Sequence, residues 1–175
     1  MAYADDFVIL TRRFPERKFA VEARAWTQQV MTRIGLTLHE QKTSIRDARQ
    51  EDFDFLGSTF GPRYWWKTGR PYEAARPSKK SIQRLTTRVY DFLQSHEMAS
   101  WPEVRGQRNA KLRGWHNYFR YGTVSQAYQI VNNYVAQRVR HFLRRRHIKT
   151  RSRCTRRFPS EKISGSLGVH RLARL

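Results

Sequence analysis

The sequence has almost no cysteine and no long hydrophobic run. Its single cysteine, Cys154, excludes an internal disulfide framework and any zinc site that is built from several cysteines. No apolar stretch is long enough to cross a bilayer, and the N-terminus lacks the basic-then-apolar layout of a secretory signal. We therefore expect a cytoplasmic protein.

Acidic residues are also scarce, but only in one part of the chain. Asp and Glu number 14 against 35 Lys and Arg, a net charge of +21. Residues 1–62 carry nine basic and nine acidic residues, so the whole excess lies in residues 63–175. Such an excess predicts a polyanionic partner, with nucleic acid as the leading candidate. The basic segments interleave Trp, Tyr and Arg without a strongly apolar face, which argues against a membrane surface.

Residues 1–62 predict a mixed α+β unit. The short run "FVIL" is apolar, as buried strands are, and "LTLH" and "FDFLGSTF" are typical of strands. The segment from Pro15 to Ile34 predicts a helix that ends at Gly35. The predicted apolar face of this helix consists of Phe19, Ala23, Trp26, Val30 and Ile34.

Residues 77–150 predict three helices. Ser78 is a start signal for the first, Ser100 with Glu103 has the spacing of a capping box for the second, and the third begins near Ser125. Each helix carries an apolar stripe at helical spacing. The stripes comprise Ile82, Leu85, Val89, Phe92 and Leu93, then Leu112, Trp115 and Phe119, then Val131, Val135, Val139, Phe142 and Leu143.

Two segments flank these helices. Residues 63–76 are rich in glycine and proline and predict a linker or a hairpin at the boundary between two domains. Residues 151–175 form a basic tail, and basic residues are already dense from Arg140 onward. Because like charges at that density repel each other, we expect the chain after His147 to be loosely held until it meets a phosphate backbone.

The adjacent carboxylates of Asp5 and Asp6 stand between Tyr3 and an apolar run. Half-buried carboxylates need a cation, and paired carboxylates serve as ligands in two-metal sites that activate a 3′-hydroxyl and stabilise a leaving phosphate. Neighbouring residues of an ideal strand point to opposite faces, so a shared metal requires a hairpin turn at this position. A solvated turn is the alternative.

Four motifs in a fixed order resemble one family. "YADD" followed by an apolar strand resembles the metal-binding motif of reverse transcriptases, and "GLTLHEQKTSI" and "FDFLGSTF" follow it in the family order. The run "LRGWHNYFRYG" is similar to the thumb or maturase region of group II intron-encoded proteins. The resemblance implies the end of a reverse-transcriptase palm in residues 1–62, followed by a helical thumb and maturase-specific domain.

The resemblance assigns roles to residues of the predicted palm. Asp5 and Asp6 would be catalytic, metal-site carboxylates for Mg²⁺, with Asp5 as the direct ligand. Lys42 would lie near the triphosphate, where a cation stabilises developing charge or gives a proton to pyrophosphate; the alternative is a solvated loop lysine. The primer grip would be formed by Phe55, Leu56 and Gly57, with glycine permitting close backbone approach and ordinary strand packing as the alternative.

Members of the family carry another catalytic aspartate and the template-binding fingers upstream of "YADD". Here Met1 and Ala2 precede Tyr3. We therefore expect no polymerisation from this chain alone. The alternative is that an upstream segment, in cis or on another chain, completes an RNA-directed DNA polymerase, the nucleotidyltransferase of these mobile elements, acting on an RNA template and a DNA primer.

We therefore predict a truncated group II intron reverse transcriptase/maturase that binds intron RNA and assists splicing. A generic basic RNA-binding protein is the other alternative. The alternative for the run of cations is a solvated helix face without a partner. Trp115 and Phe119 are better explained by helix packing than by base stacking. The predicted RNA contacts are Lys79, Lys80, Arg84, Arg88, Arg113, His116, Asn117, Arg144, Arg145 and Arg146.

Overall fold

The computed structural model describes residues 2–3, 6–11, 18–96, 98–147 and 158–173, with the backbone alone at residues 2, 3, 146 and 147. The fold is α+β, as the sequence predicts. Two compact units divide the chain, residues 1–51 and 52–175. The elements in order are β1 (Ala2–Tyr3), β2 (Asp6–Phe7), α1 (Lys18–Arg33), β3 (Phe53–Phe55), β4 (Ser58–Tyr64), β5 (Pro71–Pro77), α2 (Lys79–Ser95), α3 (Trp101–Tyr118), α4 (Ser125–His147) and α5 (Ser160–Ser164).

The first unit contains a short hairpin and α1. Strands β1 and β2 pair antiparallel, with Tyr3 opposite Asp6. Helix α1 ends as predicted at Gly35, which has a φ of 78° and closes a left-handed cap in which the Leu36 N–H donates to the Met31 carbonyl at 2.9 Å. The described part of the first unit therefore has one helix with a defined C-terminal stop.

Three predictions for the first unit are wrong. The strand of the "FVIL" run ends at Phe7, and Leu10 is 79% exposed. The "LTLH" run is not a strand, because the N–H of Leu36 caps α1 and the carbonyl of His39 accepts from the turn that follows. On α1 the buried residue is Thr27, whereas Trp26 is 63% exposed.

The second unit begins with an antiparallel sheet in the order β3-β4-β5. Strands β4 and β5 pair from Ser58 opposite Pro77 to Tyr64 opposite Pro71, so the predicted linker or hairpin over residues 63–76 lies within a hairpin. The compact-unit boundary, at residue 51, comes before the charge boundary at residue 62 because β3 and the start of β4 belong to this sheet.

The predicted helices α2, α3 and α4 are confirmed, and most of the residues in their apolar stripes lie in one core. Ser78 is the N-cap of α2, and its hydroxyl accepts from the Ser81 N–H at 3.1 Å. The capping box at α3 does not form: the Ser100 hydroxyl makes no capping bond, and Pro102 lacks one of the N–H groups that a cap could bind. The buried core positions of the three helices are Leu85, Val89, Phe92, Leu93, Val104, Leu112, Tyr128, Val131, Val135, Ala136, Val139, Phe142 and Leu143.

The C-terminal segment, residues 158–173, packs into this same core. Phe158, Ile163, Val169 and Leu172 are at most 8% exposed. The prediction of a loosely held tail is therefore wrong for this segment, because four apolar side chains leave water on packing. Residues 148–157, the most basic part of the predicted tail, lie outside the described residues.

Candidate nucleic-acid interface

The exposed side of α2 carries four of the predicted RNA contacts. Lys80, Arg84 and Arg88 follow one another at intervals of four residues, so they form a single line with a rise of about 6 Å per step. We call these three residues the α2 cationic line. Lys79 precedes the line and is also exposed. Within the described residues, none of these four side chains forms an ion pair.

The α2 cationic line starts at the positive end of its own helix. The first turn of α2 contains Lys79 and Lys80 and no acidic residue. Unpaired backbone N–H groups at a helix N-terminus carry a partial positive charge, which adds to that of the two lysines. The arrangement opposes the usual preference for acidic side chains in the first turn, and it favours a phosphate group there.

The predicted primer-grip residues lie beside this helix end. Phe55 ends β3, and Leu56 and Gly57 form a two-residue turn with φ angles of 48° and 76°. The Tyr118 hydroxyl donates to the Leu56 carbonyl at 2.9 Å, and the Ser78 N–H donates to the Gly57 carbonyl at 2.9 Å. The turn is thereby fixed to the start of α2 and to the end of α3. A role in gripping a primer stays a prediction.

Two further predicted contacts, Arg113 and Asn117, lie one turn apart on α3, and both are exposed. The core positions of α3 nearest to them are Leu112 and Trp115. The structure thus places this pair on a solvent-facing side of the helix. An amide and a guanidinium at this spacing can contact the same phosphate or base edge.

His116 has a different environment from its neighbours on α3. Its Nε2 lies 2.9 Å from the carbonyl oxygen of Ala173, which accepts a hydrogen bond, and its Nδ1 lies 3.1 Å from Nε2 of His170. The His116 tautomer that donates from Nε2 to Ala173 accepts at Nδ1 from the Nε2–H of His170. Both ring nitrogens are engaged by the C-terminal segment, so sequence reasoning missed a structural role at this residue.

Burial lowers the pKa of His170, and the positive charges of His116 and Arg113 lower that pKa further. The neutral form of His170 is therefore favoured at this position. The geometry of the His116 and His170 pair holds the end of the chain against α3.

The predicted arginines near the end of α4 differ in how exposed their described side chains are. Arg144 is half-buried, and Arg145 is exposed and donates from Nη1 to Oε1 of Gln94 at 3.0 Å. The side chain of Arg146 lies outside the described residues. The α2 cationic line is thus the best-defined cationic surface among the predicted contacts.

The predicted polymerase residues of the first unit are only partly described. Asp6 is exposed in β2, and Asp5 lies outside the described residues. Lys42 is exposed in a turn in which its N–H donates to the His39 carbonyl at 3.0 Å. Among the described residues no three His, Cys, Asp or Glu side chains gather as a metal site. Asp6 alone does not fit a Mg²⁺ ion, so we derive no step through a metal.

Residues 82–158 match the family model described as group II intron, maturase-specific domain. The chain contains a group II intron maturase-specific domain. The match takes in most of α2, all of α3 and α4, and ends at Phe158. It confirms the predicted resemblance for this region and supports a maturase role in splicing, which implies intron RNA as a partner. No curated protein matches the chain.

The reverse-transcriptase resemblance of residues 1–62 lies outside that match and stays a prediction. The α2 cationic line, with Arg84 and Arg88 inside the match and Lys80 just before it, belongs to the maturase-specific domain and its edge. None of the described helices is long and apolar enough to cross a membrane.

Sequence reasoning missed a buried cation in the maturase-specific domain. Arg108 is fully buried on α3, and its Nε, Nη1 and Nη2 atoms have no hydrogen-bond partner among the described residues. Its guanidinium lies 5.1 Å from the ring centre of Trp101. Burial lowers the pKa of Arg108 to about 10, so the group is still protonated at neutral pH. The sequence did offer one signal for this burial, because Arg108 lies four residues from Val104 and four from Leu112, at the spacing of one helix face.

Two cations of the sheet form ion pairs, whereas the α2 cationic line has none within the part of the chain that the structure describes. Arg63 and Arg76, on neighbouring strands, donate to the Asp52 carboxylate at 2.9 and 2.7 Å. The hydrogen bond from Arg63 lowers the pKa of Asp52, and the charges of both arginines act in the same direction. These two arginines fix the base of the sheet and contribute less to any surrounding positive field.

Proposed function

We propose that this chain binds folded group II intron RNA through the α2 cationic line and assists splicing by holding the RNA in its active fold. The observation that carries the proposal is the line itself. Lys80, Arg84 and Arg88 are exposed, share one side of a helix and have no ion pair within the described residues. Contact with phosphates would release counterions, which is the main source of affinity for nucleic acid.

Further exposed cationic and polar groups on α2 and α3 also suit folded RNA. The N-terminus of α2 with Lys79 adds positive potential at one end, and Arg113 and Asn117 are exposed on α3. Cations and polar groups that contact phosphates position an RNA without reading its sequence. Recognition of a folded intron would then depend on where its phosphates lie in space.

The test measures binding of the full chain to a group II intron RNA over a series of salt concentrations. We expect the affinity to fall steeply with salt, and the triple variant Lys80→Gln, Arg84→Gln, Arg88→Gln to have a slope smaller by about two to three. A matched control replaces three exposed cations of α1, Lys18, Arg24 and Arg33, by Gln. An equal loss in both variants, or an affinity that ignores salt, would contradict the proposal.

Comparison with an unrelated folded RNA of equal length separates this proposal from a generic RNA-binding protein. We expect tighter binding to the group II intron, and faster formation of its spliced product at limiting Mg²⁺. Equal affinity for both RNAs would favour the generic alternative.

A second candidate function is RNA-directed DNA polymerisation as part of a larger assembly. The anchoring of the Leu56–Gly57 turn by Tyr118 and Ser78 favours it, because a primer grip has to be held rigidly. We expect no primer extension from this chain alone with Mg²⁺ present. Extension that disappears in Asp6→Asn would establish the polymerase function instead.

A further inference from the structure

The end of β4 and the loop that joins it to β5 expose three adjacent aromatic side chains. We call residues 64–70 the hairpin tip. Trp66 is 86% exposed, Tyr64 is 66% exposed and Trp65 is 57% exposed. Tryptophan is usually well buried, so two neighbouring exposed indoles call for an explanation beyond folding. The tip lies outside the matched domain and contains none of the predicted RNA contacts.

The backbone of the hairpin tip is ordered by its own hydrogen bonds. The Trp65 N–H donates to the Arg70 carbonyl at 2.9 Å, and the Gly69 N–H donates to the Trp65 carbonyl at 2.7 Å. Gly69 closes the turn with a φ of 64°, which favours glycine. The Trp65 ring packs on Tyr72, with 5.0 Å between ring centres. A platform that is ordered before binding loses little conformational entropy when a ligand arrives.

The charge of the hairpin tip is of one sign. Residues 64–70 include the cations Lys67 and Arg70 and no acidic residue. The Lys67 ammonium lies 5.1 Å from the centre of the Trp66 ring, and the exposure of Trp66 leaves most of the indole open. Flat aromatic surface beside cations is the chemistry that binds single-stranded nucleic acid, where bases stack and phosphates pair. A fully paired duplex keeps its base faces inside the stack and offers none to an indole.

We propose that the hairpin tip binds an unpaired RNA base by stacking it on Trp66, with Lys67 and Arg70 contacting the flanking phosphates. This inference rests on the proposed function for its choice of RNA as the partner. It adds a separate site, on the sheet and not on the helices, which takes loops, bulges or ends of the folded RNA.

The test uses the full chain and two RNA probes of equal length: a single strand with a central 2-aminopurine and a blunt duplex of the same sequence. We expect wild type to quench the 2-aminopurine on binding, since stacking quenches its fluorescence. Trp66→Ala should weaken single-strand binding roughly 5- to 150-fold, the range that loss of one aromatic stack gives. Trp66→Phe should keep most of the affinity, and duplex binding should change little in either variant.

The matched control is Trp26→Ala on α1, an exposed tryptophan in the part of the chain that has no net charge. It should leave single-strand affinity unchanged. An equal loss in Trp26→Ala and Trp66→Ala, or a loss on the duplex as large as on the single strand, would overturn the proposal. So would a Trp66→Ala variant that binds as wild type does but no longer self-associates, which would assign the tip to protein contact.

The two proposals fail separately. If wild type binds intron RNA with the expected salt dependence but Trp66→Ala has no effect, the hairpin tip proposal falls and the α2 cationic line stands. If wild type binds the single strand through Trp66 but the α2 triple variant matches its control, the reverse holds.

Discussion

Asn132 and Leu172 are joined by two hydrogen bonds although 40 residues separate them. The Asn132 amide donates from Nδ2 to the Leu172 carbonyl at 2.8 Å, and the Leu172 N–H donates to Oδ1 of Asn132 at 3.0 Å. Asn109 makes the same kind of pair with the Gly168 carbonyl and the His170 N–H. Each asparagine thus bonds to the backbone of the C-terminal segment and holds it against α3 or α4. We call these two pairs of hydrogen bonds the asparagine clasps.

Removal of one clasp should destabilise the helical unit. Asn132→Ala leaves a backbone carbonyl and N–H without their partner, so we expect the free energy of unfolding to fall by about 2 kcal/mol. Asn133→Ala, the exposed neighbour on α4, is the control and should change it by less than about 0.5 kcal/mol. Urea denaturation followed by circular dichroism measures both. Equal effects would show that the clasp contributes nothing.

The charge of the buried Arg108 should lower the free energy of unfolding. Arg108→Met keeps most of the packing volume and removes a cation that has no hydrogen-bond partner among the described residues, so we expect the free energy of unfolding to rise by about 1 kcal/mol. Arg108→Ala, which leaves a cavity as well, should lower it by about 2 kcal/mol. Thermal denaturation of the two variants separates the charge from the packing. A destabilised Arg108→Met would show that the stack on Trp101 outweighs the desolvation.

Acid should loosen the C-terminal segment through His170. Because the pKa of His170 is lowered in the folded state, the unfolded chain binds more protons below its ordinary pKa of 6.5. The free energy of unfolding should therefore be largest above that pH and fall as the pH drops from 7.5 to 5.5. His170→Gln should reduce this dependence. A slope that is the same in the variant would exclude His170 as its source.

Alanine substitutions at two glycines should change the free energy of unfolding in opposite directions. Gly106 lies inside α3, and an added Cβ there meets no other heavy atom within 4 Å in the described part of the chain. Gly106→Ala should stabilise the helix by about 1 kcal/mol. Gly57 has a φ of 76°, so Gly57→Ala should destabilise by about 1 kcal/mol. The midpoint of urea denaturation measures both, and a stabilising Gly57→Ala would contradict the left-handed turn.

The long helices were predictable because the spacing of apolar residues that specifies them lies within each helix. Leu85, Val89 and Phe92 recur at helical spacing, and a helix that buries such a stripe has few alternatives. The short strands were not predictable, because the "LTLH" run has apolar residues but its N–H and carbonyl groups serve the cap of α1 and the next turn. Strand formation depends on a partner that the run itself does not contain.

The residues of the candidate site also differ in how far the sequence alone predicts their positions. Lys80, Arg84 and Arg88 could be placed on one solvent-facing line from their spacing alone. His116 could not, because its partners His170 and Ala173 lie more than 50 residues away along the chain. The hairpin tip was visible as "YWWK" in the sequence, but its exposure follows from the pairing of β4 with β5.

The sequence by itself determined the helical stripes, the concentration of positive charge after residue 62 and the resemblance to maturases. These properties depend on residue identity and on spacing over a few turns. The tertiary structure decided which cations are paired, as Arg63 is, which is buried, as Arg108 is, and which stay in water. It also decided that residues 158–173 join the core, because the asparagine clasps and the burial of Leu172 depend on side chains of α3 and α4 that are distant in sequence.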